Sequence, residues 1–153
     1  MNKINIIGAK QKNKEIIYDS FYRYKMDKLI VNKIKNKLII DNLDIIAKEL
    51  HINPNAIAVF YKNYLNTNIK YNNGQLEING NTFTQKYLQD SLDEFIDEFI
   101  ICSNCNLPEL EHYCNKNELC IKCKSCGLNE KNNSKYTTVA KTILKNLALN
   151  KTK

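Results

Sequence analysis

Ile101-Cys102-Ser103-Asn104-Cys105 and Cys120-Ile121-Lys122-Cys123-Lys124-Ser125-Cys126-Gly127 are the stretches on which the reading of this chain turns. They contain two CxxC pairs, Cys102/Cys105 and Cys123/Cys126, separated by 17 residues. Two residues between ligands let a tight turn aim both thiolates at one tetrahedral ion. A gap of 17 suits a strand–turn–strand between two such turns. Gly127 supplies the φ > 0 conformation that turns backbone N–H groups toward sulfur. The spacing therefore predicts a zinc ribbon with one structural Zn2+ on Cys102, Cys105, Cys123 and Cys126. Four sulfurs leave no open position for water, so the site is read as structural and not hydrolytic. Cys120 forms a third CxxC with Cys123 and competes with Cys126. Gly127, and the predicted strand around Cys120, favour the 123/126 pair, and Cys114 has no assigned role. His51 and His112 lack metal spacing and read as surface or helix-end residues.

The chain of 153 residues as a whole is 43% hydrophobic and 25% charged, a composition of globular and not disordered chains. Asn, Lys and Ile are over-represented, which reads as AT-rich coding bias. The longest apolar run, Ala56 to Tyr61, is far short of the ~20 residues of a membrane span. Met1 to Lys14 holds only Ile4-Asn5-Ile6-Ile7, too little for a secretory segment. A reducing cytosol and no membrane are expected, and six cysteines there point to metal before disulfides.

Upstream of the cysteines, periodicity predicts the order β-β-α-α-β-β-α. Leu29 to Ile34 and Lys37 to Ile40 read as a hairpin around Lys35-Asn36. Asn42 is placed to cap a helix from Leu43 to Leu50, with Leu43, Ile46, Ala47 and Leu50 on one face. Asn53-Pro54 starts a second helix bearing Ile57, Phe60, Tyr61 and Tyr64. Asn72-Asn73-Gly74 turns a second hairpin between Asn68 to Tyr71 and Gln75 to Ile78. Thr82 or Thr84 opens a long helix with Leu88, Leu92, Phe95, Ile96 and Phe99 inward, and Asp90, Asp93, Glu94, Asp97 and Glu98 outward. Val139 to Leu149 reads as a last amphipathic helix. The class is α+β: a small sheet with helices packed on one face, then a four-cysteine zinc ribbon and a C-terminal helix. The expected division is 1–17 as an extension, 18–101 as the α/β domain, 102–136 as the ribbon and 137–153 as helix and tail.

The net charge of +7 is unevenly placed. Residues 1–40 carry nine Lys and one Arg against three acids, residues 41–101 four Lys against nine acids, and residues 102–153 nine Lys against four acids. Two basic ends around an acidic middle suit a phosphate backbone or an acidic partner, or serve as solvated faces. Of 23 basic residues only Arg23 is an arginine. A chain that uses Lys elsewhere keeps one planar guanidinium, in Phe21-Tyr22-Arg23-Tyr24-Lys25-Met26. Its aromatic neighbours either anchor the segment so that Arg23 points outward, or hold it in a structural stack.

That segment resembles the opening motif of eukaryotic translation initiation factor 5. The likeness runs on through Leu88-Gln89-Asp90-Ser91-Leu92-Asp93-Glu94-Phe95-Ile96, through Phe99 to Cys105, through Cys123 to Gly127, and to Thr142-Ile143-Leu144-Lys145-Asn146. It covers residues 18–147, about the extent of that family's N-terminal domain. The beta subunit of initiation factor 2 shares the two modules. The resemblance implies an α/β domain similar to initiation factor 1, and a protein that is no enzyme itself. It implies promotion of GTP hydrolysis by the GTP-bound gamma subunit of initiation factor 2, with initiator tRNA, on the small ribosomal subunit and its RNA. Arg23 falls on the family's arginine finger, with Phe21, Tyr22, Tyr24 and Lys25 as its binding surroundings. Lys37 falls on a supporting basic position. A third basic position falls near Val59, with Lys62 the nearest cation, and the family's Pro after the motif is Asp27 here.

The alternatives are a non-catalytic ribosome and initiator-tRNA binding module tuning start-codon recognition, or a mimic of the beta subunit. The family's C-terminal helical-repeat domain is expected to be missing. A stand-alone N-terminal domain with AT-rich coding suggests a viral source, and a monomer working in the host cytoplasm.

Overall fold

Two hairpins build the central sheet. In the computed structural model, which describes residues 3–8, 22–80 and 82–151 (148–151 by backbone alone), β3 (Val31–Ile34) pairs antiparallel with β4 (Lys37–Ile40), and β5 (Ile69–Asn72) with β6 (Gln75–Asn79). Asn73 and Gly74 take φ of 52° and 79°, the two left-handed residues that a two-residue hairpin turn requires. The order is β3-β4-β6-β5, with Leu38 opposite Ile78 and Ile40 opposite Leu76. These four are buried while Lys37 and Asn79 beside them are exposed, the period of two expected when one face meets a core.

Helices α1 (Leu43–Glu49), α2 (Pro54–Leu65) and α3 (Gln85–Phe99) supply the other side of that core. The Asn53 side chain accepts from Asn55 N ahead of Pro54, and Thr84 accepts from Tyr87 N. Asn42 does not cap α1 with its side chain. It accepts from Ile30 N and donates to Lys28 O, 3.0 and 2.9 Å, pinning the entry to β3 instead. Asp93 also departs from expectation: it is buried on α3, near Tyr61, whereas its charge pattern placed it outward. Tyr61 donates to Leu88 O at 2.6 Å, joining α2 to α3.

The first residues form an element that their polar composition hid. β1 (Lys3–Asn5) pairs with β2 (Lys25–Asp27), and Ile6 and Ile7 are buried. Lys3 bridges Asp27 at 2.7 Å and also pairs with Glu49 of α1. The short apolar piece Ile4 to Ile7 is thus a strand with its continuation, too brief to show as a period.

After Ile101 comes a three-stranded antiparallel sheet, β7 (Leu110–Asn115), β8 (Glu118–Cys123) and β9 (Asn129–Lys131). Helix α4 (Thr137–Lys151) returns over α2, β7 and β8. Val139 and Ile143 join the same apolar cluster as Leu119, Ile100 and Ile101, so no polar seam separates ribbon from helices. Phe60 lies at the centre, edge-on to Phe95 at 5.5 Å and to Tyr136 at 5.2 Å. Among the described residues no helix is long and apolar enough to cross a membrane.

Candidate metal centre and the groove beside it

Cys102 follows the last turn of α3, and Cys123 ends β8. Each opens a turn of the same construction. Asn106 N donates to Cys102 O at 2.8 Å, and Gly127 N donates to Cys123 O at 3.1 Å. Asn106 and Gly127 both take left-handed backbone, φ 62° and 81°. Within the turns, Asn104 N and Cys126 N each point at the first sulfur of their pair, 3.4 Å away. Both knuckles therefore present two sulfurs and a donated N–H.

The four sulfurs of Cys102, Cys105, Cys123 and Cys126 lie within 4.8 Å of one another, with Cys102–Cys126 and Cys105–Cys123 both at 3.6 Å. Four sulfurs at about 2.3 Å from a tetrahedral ion sit roughly 3.8 Å apart, so the donor set fits a metal. Donation by the Asn104 amide, then by Leu128 N–H, lowers the Cys126 thiol to about 6. Burial pushes the Cys102 and Cys105 thiols up. Cys120 stands apart. It lies opposite Tyr113 in the β7–β8 ladder and three residues before Cys123, hence on the other face of β8, which removes it as a competitor. Cys114 pairs in register with Leu119 and is likewise outside the cluster.

Beside the cluster runs a groove of about 1000 Å³ between the Arg23 segment, the end of α1 and the β7–β8 hairpin. Arg23 lines it and is exposed, with its guanidinium carbon 5.1 Å from the Tyr24 ring centroid. Tyr22 is buried and meets the half-buried Tyr24 edge-on at 5.5 Å. Tyr24 is fixed from two sides: Ile6 N donates to its carbonyl at 2.8 Å, and its hydroxyl is hydrogen-bonded to Glu109, between the metal turn and β7. Lys25 lines the groove from β2. Phe21 lies outside the described residues. Lys37 does not line the groove; it starts β4 and faces Glu77 at 3.5 Å. Lys62, in the last turn of α2, is exposed.

Sequence reasoning missed two residues here. Asn106 occupies the position after Cys102 that Gly127 occupies after Cys123. That equal offset of four was the signal available, since Asn tolerates left-handed backbone almost as Gly does. His112 is half-buried, not a free surface residue. It lies on β7 against Phe99, ring centroids 6.2 Å apart, and burial lowers its pKa to about 4. His51 does end a helix, at φ 57°.

The family model for the domain found in initiation factors 2B and 5 matches residues 13–129. Eukaryotic translation initiation factor 5 of Dictyostelium discoideum is 34% identical over 116 residues, 72% of this chain and 29% of that protein. The factor 5 of Caenorhabditis elegans is 37% identical over 118 residues, 72% of this chain and 27% of its own. Translation initiation factor 2 subunit beta of Archaeoglobus fulgidus is 26% identical over 105 residues, 69% of this chain and 76% of that subunit. This chain thus spans less than a third of the length of those factor 5 relatives. None of these matches lends support to a viral source.

Proposed function

This chain belongs to the family of the domain found in initiation factors 2B and 5, and from that premise we propose that it acts in translation initiation as an activator of GTP hydrolysis by the gamma subunit of initiation factor 2. Its partners in this reading are the GTP-bound gamma subunit with initiator tRNA, and RNA of the small ribosomal subunit. The chain is a cytoplasmic monomer and not itself the enzyme. The carrying observation is the placement of Arg23: the sole arginine is exposed, on a segment whose flanking tyrosines are packed down.

A guanidinium delivered in trans stabilises negative charge developing on the β- and γ-phosphate oxygens, worth about 10³–10⁵ in rate in fingers of this kind. Phe21, Tyr22, Tyr24 and Lys25 form its binding surroundings, and Lys37 is a supporting cation on the sheet hairpin. Zn2+ is the ion we assign to Cys102, Cys105, Cys123 and Cys126, where closed four-sulfur coordination supplies a structural crosslink. We assign the units as 18–101, similar to initiation factor 1, 102–136 as the ribbon and 137–153 as helix and tail, with β1 and Ile6 of the segment 1–17 packed onto the first unit.

Single-turnover GTP hydrolysis in reconstituted initiation complexes, comparing wild type with Arg23→Ala, tests the finger; equal rates would remove it. The engagement of Lys37 by Glu77 favours a second reading, a non-catalytic module that binds the ribosome and initiator tRNA. In that case ribosome binding survives Arg23→Ala unchanged and falls steeply with salt.

A further inference from the structure

The open edge of the central sheet is a surface that the proposed function leaves unused. Among the described elements β3 pairs with β4 alone, and no other packs closely against it. Successive residues of a strand turn their backbone groups to opposite sides. Asp41 N donates to Ile30 O at 2.9 Å, and Asn42 accepts from Ile30 N, so Ile30, Asn32 and Ile34 face β4. Leu29, Val31 and Lys33 therefore face the open side. At Leu29 two glutamines of α3 stand in for a neighbouring strand. Gln89 accepts from Leu29 N at 2.9 Å, and Gln85 donates to Leu29 O at 3.2 Å. Val31 and Lys33 have no such substitute, which leaves two N–H and two C=O groups unbonded among the described residues.

The side chains along this edge select what can join it. Ile30 and Ile34 are 54% and 55% exposed and share one face with the exposed Asn32. Residues 28–37 carry four lysines and no acid. Lys28 and Lys33 are exposed and have no ion pair among the described residues, whereas Lys37 meets Glu77. A second copy of this chain is a poor occupant. Two-fold pairing of β3 with itself would bond Val31 of each strand to Lys33 of the other and set the two Lys33 side chains diagonally on one face. It would also bring two runs of four lysines together, and like charges across a strand pair repel. Edge lysines commonly serve to reject a like strand, and they leave the edge open to one of opposite charge.

We propose that β3 is a docking edge for an extended acidic segment of a protein partner, which joins the sheet as a fifth strand. Its main chain forms four hydrogen bonds with Val31 and Lys33. Its apolar side chains cover Ile30 and Ile34 on one face, and carboxylates on the alternate residues meet Lys33 on the other. The ladder stops at Leu29, where Gln85 and Gln89 already occupy the edge, so the docked stretch is short. Arg23 and the groove beside it take no part, so this surface stands or falls independently of GTPase activation.

Calorimetric titration of the full chain with a blocked octapeptide alternating valine and glutamate tests the edge. One-to-one binding is expected, about ten-fold tighter than that of a peptide with the same residues in blocks or of one alternating valine and lysine. N-methylation separates a strand from a mere charge contact: methyls on one set of alternate amides should abolish binding, and methyls on the other set should leave it unchanged. Lys33→Glu should weaken the acidic peptide about ten-fold, the span from an attractive to a repulsive cross-strand pair, and admit the valine–lysine peptide. In hydrogen exchange followed by NMR, the Val31 and Lys33 amides of wild type should slow when the acidic peptide is added. Those of Asn32 and Ile34, already bonded to β4, should not change. Absence of binding by the alternating acidic peptide overturns the proposal, as do equal affinities of alternating and block peptides or indifference to which amides carry methyls. Sedimentation equilibrium showing a dimer that protects the same two amides would give the edge to a second copy and overturn it too. So would a single-stranded uridylate octamer that binds more tightly than the peptide and protects those amides. If Lys33→Glu does not fold, the methylated peptides and the exchange data, both taken on wild type, decide.

Discussion

Withdrawal of the zinc proposed for the four-cysteine cluster should destabilise one end of this molecule more than the other. The ribbon has few apolar side chains of its own to hold it, chiefly Leu119 and Ile121, and its turns hang on N–H groups aimed at sulfur. The helical side keeps its own buried Phe60, Tyr61, Phe95 and Phe99 whatever happens at the cysteines. Binding to the folded state alone stabilises by RT ln(1 + [L]/Kd), about 4 kcal/mol at a free zinc concentration a thousand-fold above Kd. For a chain of this length each kcal/mol moves Tm by about 2–4 °C, so chelation should lower Tm by roughly 8–16 °C from that reference. The measurements are metal content, expected at one zinc per chain, melting with and without chelator, and amide hydrogen exchange. Exchange should rise in β7 and β8 while amides of β6 and α3 remain protected. Unchanged melting on chelation, or equal loss of protection in α3 and β8, would refute a ribbon held by its metal.

Arg23→Lys and Arg23→Ala should leave stability within about 1 kcal/mol of wild type, because an exposed cation–π contact is worth no more; thermal melts check this, and a larger loss would make the residue a structural stack. Gly8→Ala should destabilise by roughly 1–3 kcal/mol, although such a change in open space stabilises by about 0.4–1. Its new Cβ would stand 2.9 and 3.0 Å from Cβ and Cα of Asp97 on α3, backbone that cannot step aside, and urea titration would show the sign. His112 should make stability depend on acid. Its folded pKa of about 4 lies below the usual 6.5, so the unfolded chain binds more protons between those values. Its contribution is full above pH 6.5 and falls by on the order of 3 kcal/mol as pH drops toward 4. Urea titrations of wild type and His112→Gln across that window should differ by this slope, and parallel curves would count against burial of the ring.

The elements legible in advance were those whose signal is local. Asn53-Pro54 and Asn73-Gly74 fix backbone angles by their own chemistry, and both did so. The CxxC spacing works the same way, because two intervening residues set the reach between sulfurs before any tertiary contact forms. What stayed hidden depends on partners distant in sequence. β1 is three residues long and exists only because β2, more than twenty positions away, lies against it. Asn42 sits where a cap belongs, yet the loop at Lys28 to Ile30 takes its side chain. His112 is half-buried against Phe99 on another element, which no period within β7 announces. The face carrying Asp93 was misread because five acids in nine residues look solvated, while the packing of α2 against α3 covers one of them.

The same long-range dependence ties the metal cluster to the arginine. Arg23 has no backbone element of its own; it sits between the buried Tyr22 and the half-buried Tyr24, two residues before β2. Tyr24 in turn is bonded to Ile6 of the N-terminal segment and to Glu109, four residues after Cys105. A ribbon that loosens carries Glu109 with it and leaves the Tyr24 ring, and the guanidinium over it, without one of two fixed points. On the proposed function, a zinc ion that touches no nucleotide would therefore bear on where the guanidinium can reach. Positioning matters at that distance, because a displacement of about 1 Å in a reacting group costs on the order of a hundred-fold in rate. Under the proposed function, a chain stripped of zinc and still helical keeps Arg23 on its surface and loses the positioning that the proposed finger requires.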